Sequence, residues 1–174
     1  MKIKEAVLSI LPELEELKEV DFRQYAPPYP NLLTAFLESG ERGLPAFQRF
    51  AEKVAGREVV GQELLSLLQY LLIRYRRFNE YAVVRPAVKV FLTLKGWLKE
   101  NGFEEDWDRV LSSFIGYFVS MVPMIAEHED KETALAYAKL IEDLAREASE
   151  KFNDEYYDEL LERALELRKK IEES

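Results

Sequence analysis

Residues 64–99, LLSLLQYLLIRYRRFNEYAVVRPAVKVFLTLKGWLK, constrain the fold more than any other part of the chain. This stretch is at once the most apolar and the most cationic segment, so it has to bury one side and keep another in water. It holds seven Lys/Arg and one acid, Glu80, a net charge of +6. The whole 174-residue chain carries −9, so everything outside the stretch sums to −15. Two helices meet the demand, because a helix sorts apolar and polar residues by angle.

At 100° per residue, Arg85, Lys89, Lys95 and Lys99 of the second helix fall within an arc of about 120°. Leu92 and Gly96 lie inside that arc, while Val83, Val90, Phe91, Leu94, Trp97 and Leu98 lie on the other side. The second helix therefore reads as an apolar back with a cationic front. On the first helix, Tyr70, Arg74, Arg77, Phe78 and Tyr81 share one side, and Gln62, Gln69, Arg76 and Glu80 share another. Angle alone leaves open which of these two edges faces water.

Elsewhere no strand pattern survives, since Val59-Val60 and residues 82–84 are too short to be strands. Residues 2–20 carry Ile3, Val7, Ile10, Leu11, Leu14 and Leu17 at helical spacing, with Pro12 expected to kink or divide the helix. QYAPPYPN then reads as a stiff extended linker. Further helices are expected over residues 30–39, 45–56, 62–81, 86–101, 104–127, 130–151 and 155–172. Their punctuation is Pro30 and Pro45 at first turns, Gly40, Gly56 and Gly102 as stops, and Asp130 and Asn153 or Asp154 as caps. The expected architecture is an all-α compact bundle of seven or eight helices with short loops. It forms one domain over residues 1–174, with residues 130–172 as a peripheral C-terminal helical hairpin. That hairpin resembles one tetratricopeptide-type unit in Ala134, Tyr137, Ala138, Tyr156, Ala164 and Leu167. It lacks the consensus Trp and Gly, and no second copy lies upstream.

Composition narrows the class. A chain of this length buries roughly 70% of its unfolded surface. There is no Cys, which excludes disulfides, thiolate zinc sites and thiol catalysis. Glu outnumbers Asp 26 to 7, and Asn and Gln occur four times each, the ion-pair-rich profile of heat-stable proteins. The N-terminus MKIKEAVLSILPELEEL has no signal-peptide cleavage pattern and turns acidic at once, so a cytoplasmic location is expected. Residues 110–126 are uncharged, but they are short of the roughly 20 residues of a span and contain three Ser, a Gly and a Pro. A buried helix is expected there, with no membrane.

Catalytic templates find little support. His128 in AEHEDKE is the only histidine; with Glu127, Glu129 and Glu132 it makes a thin metal-ligand set, and an exposed loop position among capping acids is expected. No phosphate-cradling glycine loop and no Gly-x-Ser-x-Gly is present. Glu129-x-x-Glu132 followed by Glu155-x-x-Asp158 resembles the ExxE…ExxD arrangement of the all-α nucleotide pyrophosphatases of the MazG kind, over under a fifth of the chain. The resemblance implies four carboxylates holding magnesium against a triphosphate. If the two helices are antiparallel, however, the pairs stand about 30 Å apart.

The expected function is therefore non-enzymatic, with no cofactor. It is a helical interaction or scaffold subunit that docks a protein partner, or another copy of itself, through Arg74, Arg77, Arg85, Lys89, Lys95 and Lys99. The first alternative is a nucleic-acid accessory subunit using the same cations and the aromatics among them. A pI near 4.9 weighs against it. The second alternative is the metal-dependent nucleotide pyrophosphatase.

Overall fold

The structure is a computed structural model that describes residues 9–14, 45 and 57–174. The chain divides into two compact units, Met1–Phe103 and Glu104–Ser174. The described residues are helical, with no strand among them.

In the first unit, α1 spans Arg57–Phe78 and α2 spans Val84–Glu100, with a 3₁₀ turn at Tyr81–Val83 between them. The α1 helix ends because Asn79 takes a left-handed conformation (φ 52°), which Asn tolerates better than most residues. Its N–H still donates to the Tyr75 carbonyl, at 2.8 Å. Pro86 sits in the first turn of α2, where its missing N–H costs nothing. The end of α2 is a Schellman motif: the Phe103 N–H donates to the Leu98 carbonyl at 2.8 Å and the Gly102 N–H to that of Lys99 at 3.3 Å. Gly102 supplies the positive φ (79°), and the Phe103 ring stacks on Trp97 at 5.7 Å. Leu64, Leu67, Leu68 and Leu71 of α1 and Ala87, Val88, Phe91 and Leu94 of α2 are buried. Helical residues 9–14 contribute Ile10 and Leu14 to the buried set.

The second unit is a three-helix bundle of α3 (Glu104–His128), α4 (Lys131–Phe152) and α5 (Glu155–Glu173). Asp130 caps α4, its carboxylate accepting from the Thr133 N–H at 2.7 Å, and Asp154 caps α5 by accepting from Tyr156 N–H at 3.0 Å. Between them Asn153 is left-handed (φ 47°) and closes α4. The Lys131 ammonium at the start of α4 donates to the Ser174 carbonyl after α5, at 3.3 Å, so the two helices run antiparallel. Ala134, Ala138, Ala145 and Ala148 line the buried face of α4 and let its neighbours approach closely. Large residues fill the facing side of α3, among them Trp107, Leu111, Ile115, Phe118 and Ile125.

Some expectations change. The residues 57–174 hold five α-helices and one 3₁₀ turn, six elements rather than the seven or eight expected of the chain. The helices expected over residues 2–20, 30–39 and 45–56 lie outside the described residues, apart from 9–14 and 45. Within 9–14 the helix runs through Pro12. The α1 helix already covers residues 57–61, ahead of the expected Gln62, and Gly61 within it is a packing position: a Cβ there would lie 2.9 Å from the Trp97 ring. It ends at Phe78 instead of Tyr81, and this early end moves Glu80 off the helix. The α3 helix is long and apolar enough to cross a membrane by length and composition, with 56% of its apolar window buried in the protein.

Candidate docking surface

The six cations expected to form one surface divide into three kinds. Arg74 leaves the surface. Its side chain is 11% exposed and bidentate to Glu80, with Nε and Nη2 donating at 3.0 and 3.2 Å. The guanidinium also lies 5.5 Å from the centre of the Phe78 ring. Burial works against its charge, yet neighbouring Tyr70 and Glu80 hold its pKa above the usual guanidinium value. Glu80 was expected on the opposite edge of α1; the turn at Asn79 brings it back to Arg74. Arg85 and Lys95 are engaged with other groups of the protein.

Arg77, Lys89 and Lys99 form the third kind. Arg77 and Lys99 are exposed and Lys89 is half-buried, and none makes an ion pair among the described residues. Every position on the cationic arc of α2 (Arg85, Lys89, Leu92, Lys95, Gly96 and Lys99) is exposed or half-buried, and its opposite side is buried from Val84 to Leu98. The edge of α1 that faces water is the one carrying Gln62, Gln69 and Arg76, all exposed. Arg76 was not among the expected docking residues. Arg76, Arg77 and Lys99 lie in last helical turns, where the helix dipole favours positive charge.

The aromatic residues do not join this surface evenly. Tyr70, Tyr75, Phe91 and Trp97 are 9% exposed or less. Phe78 is 45% exposed, and Ile73, on another side of α1, is 44% exposed. Neither exposure was legible from angle, since both depend on what packs against α1.

The carboxylates of the second unit are dispersed. Glu129 and Glu132 lie at the start of α4, and Glu155 and Asp158 at the start of α5, next to the end of α4. The length of α4, 22 residues or about 33 Å, separates the pairs. Asp158 instead accepts from the Ser149 hydroxyl. His128 closes α3, exposed, with Nδ1 2.9 Å from the Met124 carbonyl. Among the described residues no three His, Asp or Glu side chains converge on a point that could hold a metal.

Charge separates the units. Glu104–Ser174 holds twenty acids and nine bases, a net −11, whereas Met1–Phe103 holds thirteen acids and fifteen bases, a net +2. No family model matches the chain, and no curated protein or solved structure proved similar to it.

Proposed function

We propose that the chain is a non-enzymatic helical interaction module that docks an acidic protein surface through the cationic edges of α1 and α2. The observation that carries this reading is the exposure of Arg76, Arg77 and Lys99 on a unit of net +2, with no ion pair among the described residues. A charge left in water near no partner adds nothing to the fold beyond its effect on the helix dipole, yet it steers an acidic partner and fixes its register. Protein is favoured over nucleic acid because four aromatics of α1 and α2 are buried and cannot offer faces for base stacking. The overall charge of −9 also opposes a polyanion beyond a Debye length of about 10 Å.

Affinity capture from the native cell tests the reading, comparing the wild type with an Arg77→Glu/Lys89→Glu/Lys99→Glu variant of unchanged circular dichroism. The wild type should retain an acidic protein that high salt elutes, and the variant should lose it. Equal retention by both overturns the reading.

A further inference from the structure

Three large hydrophobic side chains are exposed among the described residues: Ile73, Phe78 and Tyr156. They fall in two places of opposite charge. In the last two turns of α1, Ile73 lies between Arg76 and Arg77 on one face at i, i+3 and i+4, while Phe78 lies about 140° round the helix with its ring against Arg74. Tyr156, 51% exposed, stands in the first turn of α5 beside Glu155 and Glu159, both exposed. None of Arg76, Arg77, Glu155 and Glu159 makes an ion pair among the described residues. The helix dipole accounts for the sign of the charge at each place. It does not account for the apolar groups left in water beside them.

Exposed aromatic and aliphatic groups ringed by arginine are the composition of an interface hot spot, whereas surface ion pairs alone bind weakly. An occupant of the α1 spot therefore needs an apolar group with carboxylates on either side. The start of α5 offers that set: an aromatic ring half in water, with Glu155 one residue before it and Glu159 three after. We infer that this spot receives the start of α5 from a second copy of the chain, with Tyr156 against Ile73 and Glu155 and Glu159 against Arg76 and Arg77. The contact joins two different patches, so it forms a two-fold dimer where two copies exchange them reciprocally and rings or open chains where they do not. It rests on the reading that the cationic edges of α1 and α2 dock an acidic protein surface, and it names that surface.

Charge exchange tests it by sedimentation of the full chain at low salt. The wild type should exceed the monomer mass of 20.4 kDa as concentration rises, and high salt should reverse this. Arg76→Glu/Arg77→Glu alone and Glu155→Lys/Glu159→Lys alone should each weaken self-association about tenfold or more. Mixing these two variants, or combining all four substitutions in one chain, restores opposite charges across the contact and should restore association. The inference is overturned by a wild type that stays monomeric at low salt, by single variants that associate like the wild type, or by exchange that fails to restore association. A monomeric wild type that still captures an acidic protein through Arg77, Lys89 and Lys99 overturns the inference and leaves the broader reading standing.

Discussion

In Glu104–Ser174 the carboxylates take up cations within the fold: Lys151 reaches Asp108 at 2.6 Å and Glu147 at 3.4 Å, Arg146 reaches Glu142, and Arg168 reaches both Glu142 and Glu172. In residues 64–99 of the other unit, seven bases share one acid, Glu80, and Arg74 takes it. The two regions use the same kind of secondary structure, and among the described residues both leave exposed cations without an ion pair, Arg76, Arg77 and Lys99 in one and Lys139, Arg163, Lys169 and Lys170 in the other; they differ in the pairs that the second unit adds across its helices, Lys151 to Asp108 and Arg168 to Glu142. Where twenty acids face nine bases, pairs form at i, i+4 and across helix contacts alike. Residues 64–99 hold one acid for seven bases, and Arg76, Arg77, Lys89 and Lys99 make no ion pair among the described residues.

The largest effects should come from the two cores, where the burial of large side chains dominates. Trp107, 1% exposed, donates Nε1–H to Glu147 at 2.9 Å, and Phe91 is 0% exposed. Trp107→Ala and Phe91→Ala should each cost about 3–5 kcal/mol in urea unfolding. Hydrogen exchange should speed up first in α3–α5 for the tryptophan variant and in α1–α2 for the phenylalanine variant. Identical exchange profiles in the two variants would remove the basis for treating the units separately.

Glu142 tests how far the second unit depends on its ion pairs. It is the one buried charged residue among those described, at 8% exposure, and it holds Arg146 of its own helix and Arg168 of α5. Glu142→Ala should cost about 2 kcal/mol, below the 3–5 of a fully buried pair because the Arg146 side chain is 48% exposed. Arg74 is the counterpart in the first unit, and Glu80→Ala should strand it at a similar cost.

Helical glycines sharpen the comparison at a smaller scale. Gly61→Ala would place a Cβ 2.9 Å from the buried Trp97 ring, so it should destabilise by about 1–2 kcal/mol despite the gain in helix propensity. Gly116→Ala would meet only the Tyr156 hydroxyl, the far end of an exposed side chain that can swing away. Gly96→Ala meets nothing within 4 Å and should stabilise by about 0.5–1 kcal/mol. Thermal unfolding of the three variants should rank Gly61→Ala lowest and Gly96→Ala highest.

The smallest effect is alkaline. The hydrogen bond from Lys151 to Asp108 raises the lysine pKa above 10.5, ahead of the opposing effect of burial and the added attraction of Glu147. A base with a raised folded pKa adds stability that is complete below 10.5 and is lost as pH climbs through the folded value. Unfolding followed from neutral pH into that range should show a loss that Lys151→Met abolishes. A Lys151→Met profile that keeps the same slope would place the effect elsewhere.

Much of the fold was legible in the sequence where local chemistry decides it. Asp130 and Asp154 announce their helices because a capping carboxylate needs only the next few N–H groups, and Gly102 ends α2 because a Schellman turn needs positive φ. The apolar back and cationic front of α2 followed from angle alone. The helical Gly61 did not, since its place is explained by Trp97, 36 residues later. Arg74 belonged by angle with Arg77, but the left-handed Asn79 returns Glu80 to it and takes it out of the surface. The exposed Ile73, Phe78 and Tyr156 were illegible because exposure is set by what packs against a helix, not by its own sequence.

On the reading proposed above, Arg77, Lys89 and Lys99 serve binding and not the fold. Urea unfolding of Arg77→Ala/Lys89→Ala/Lys99→Ala tests it most directly. The account predicts a midpoint and slope unchanged from the wild type, because these side chains reach water and alanine favours the helix. A clear fall in the midpoint, comparable to that of Glu142→Ala, would show that the three cations hold the fold together and would contradict the account.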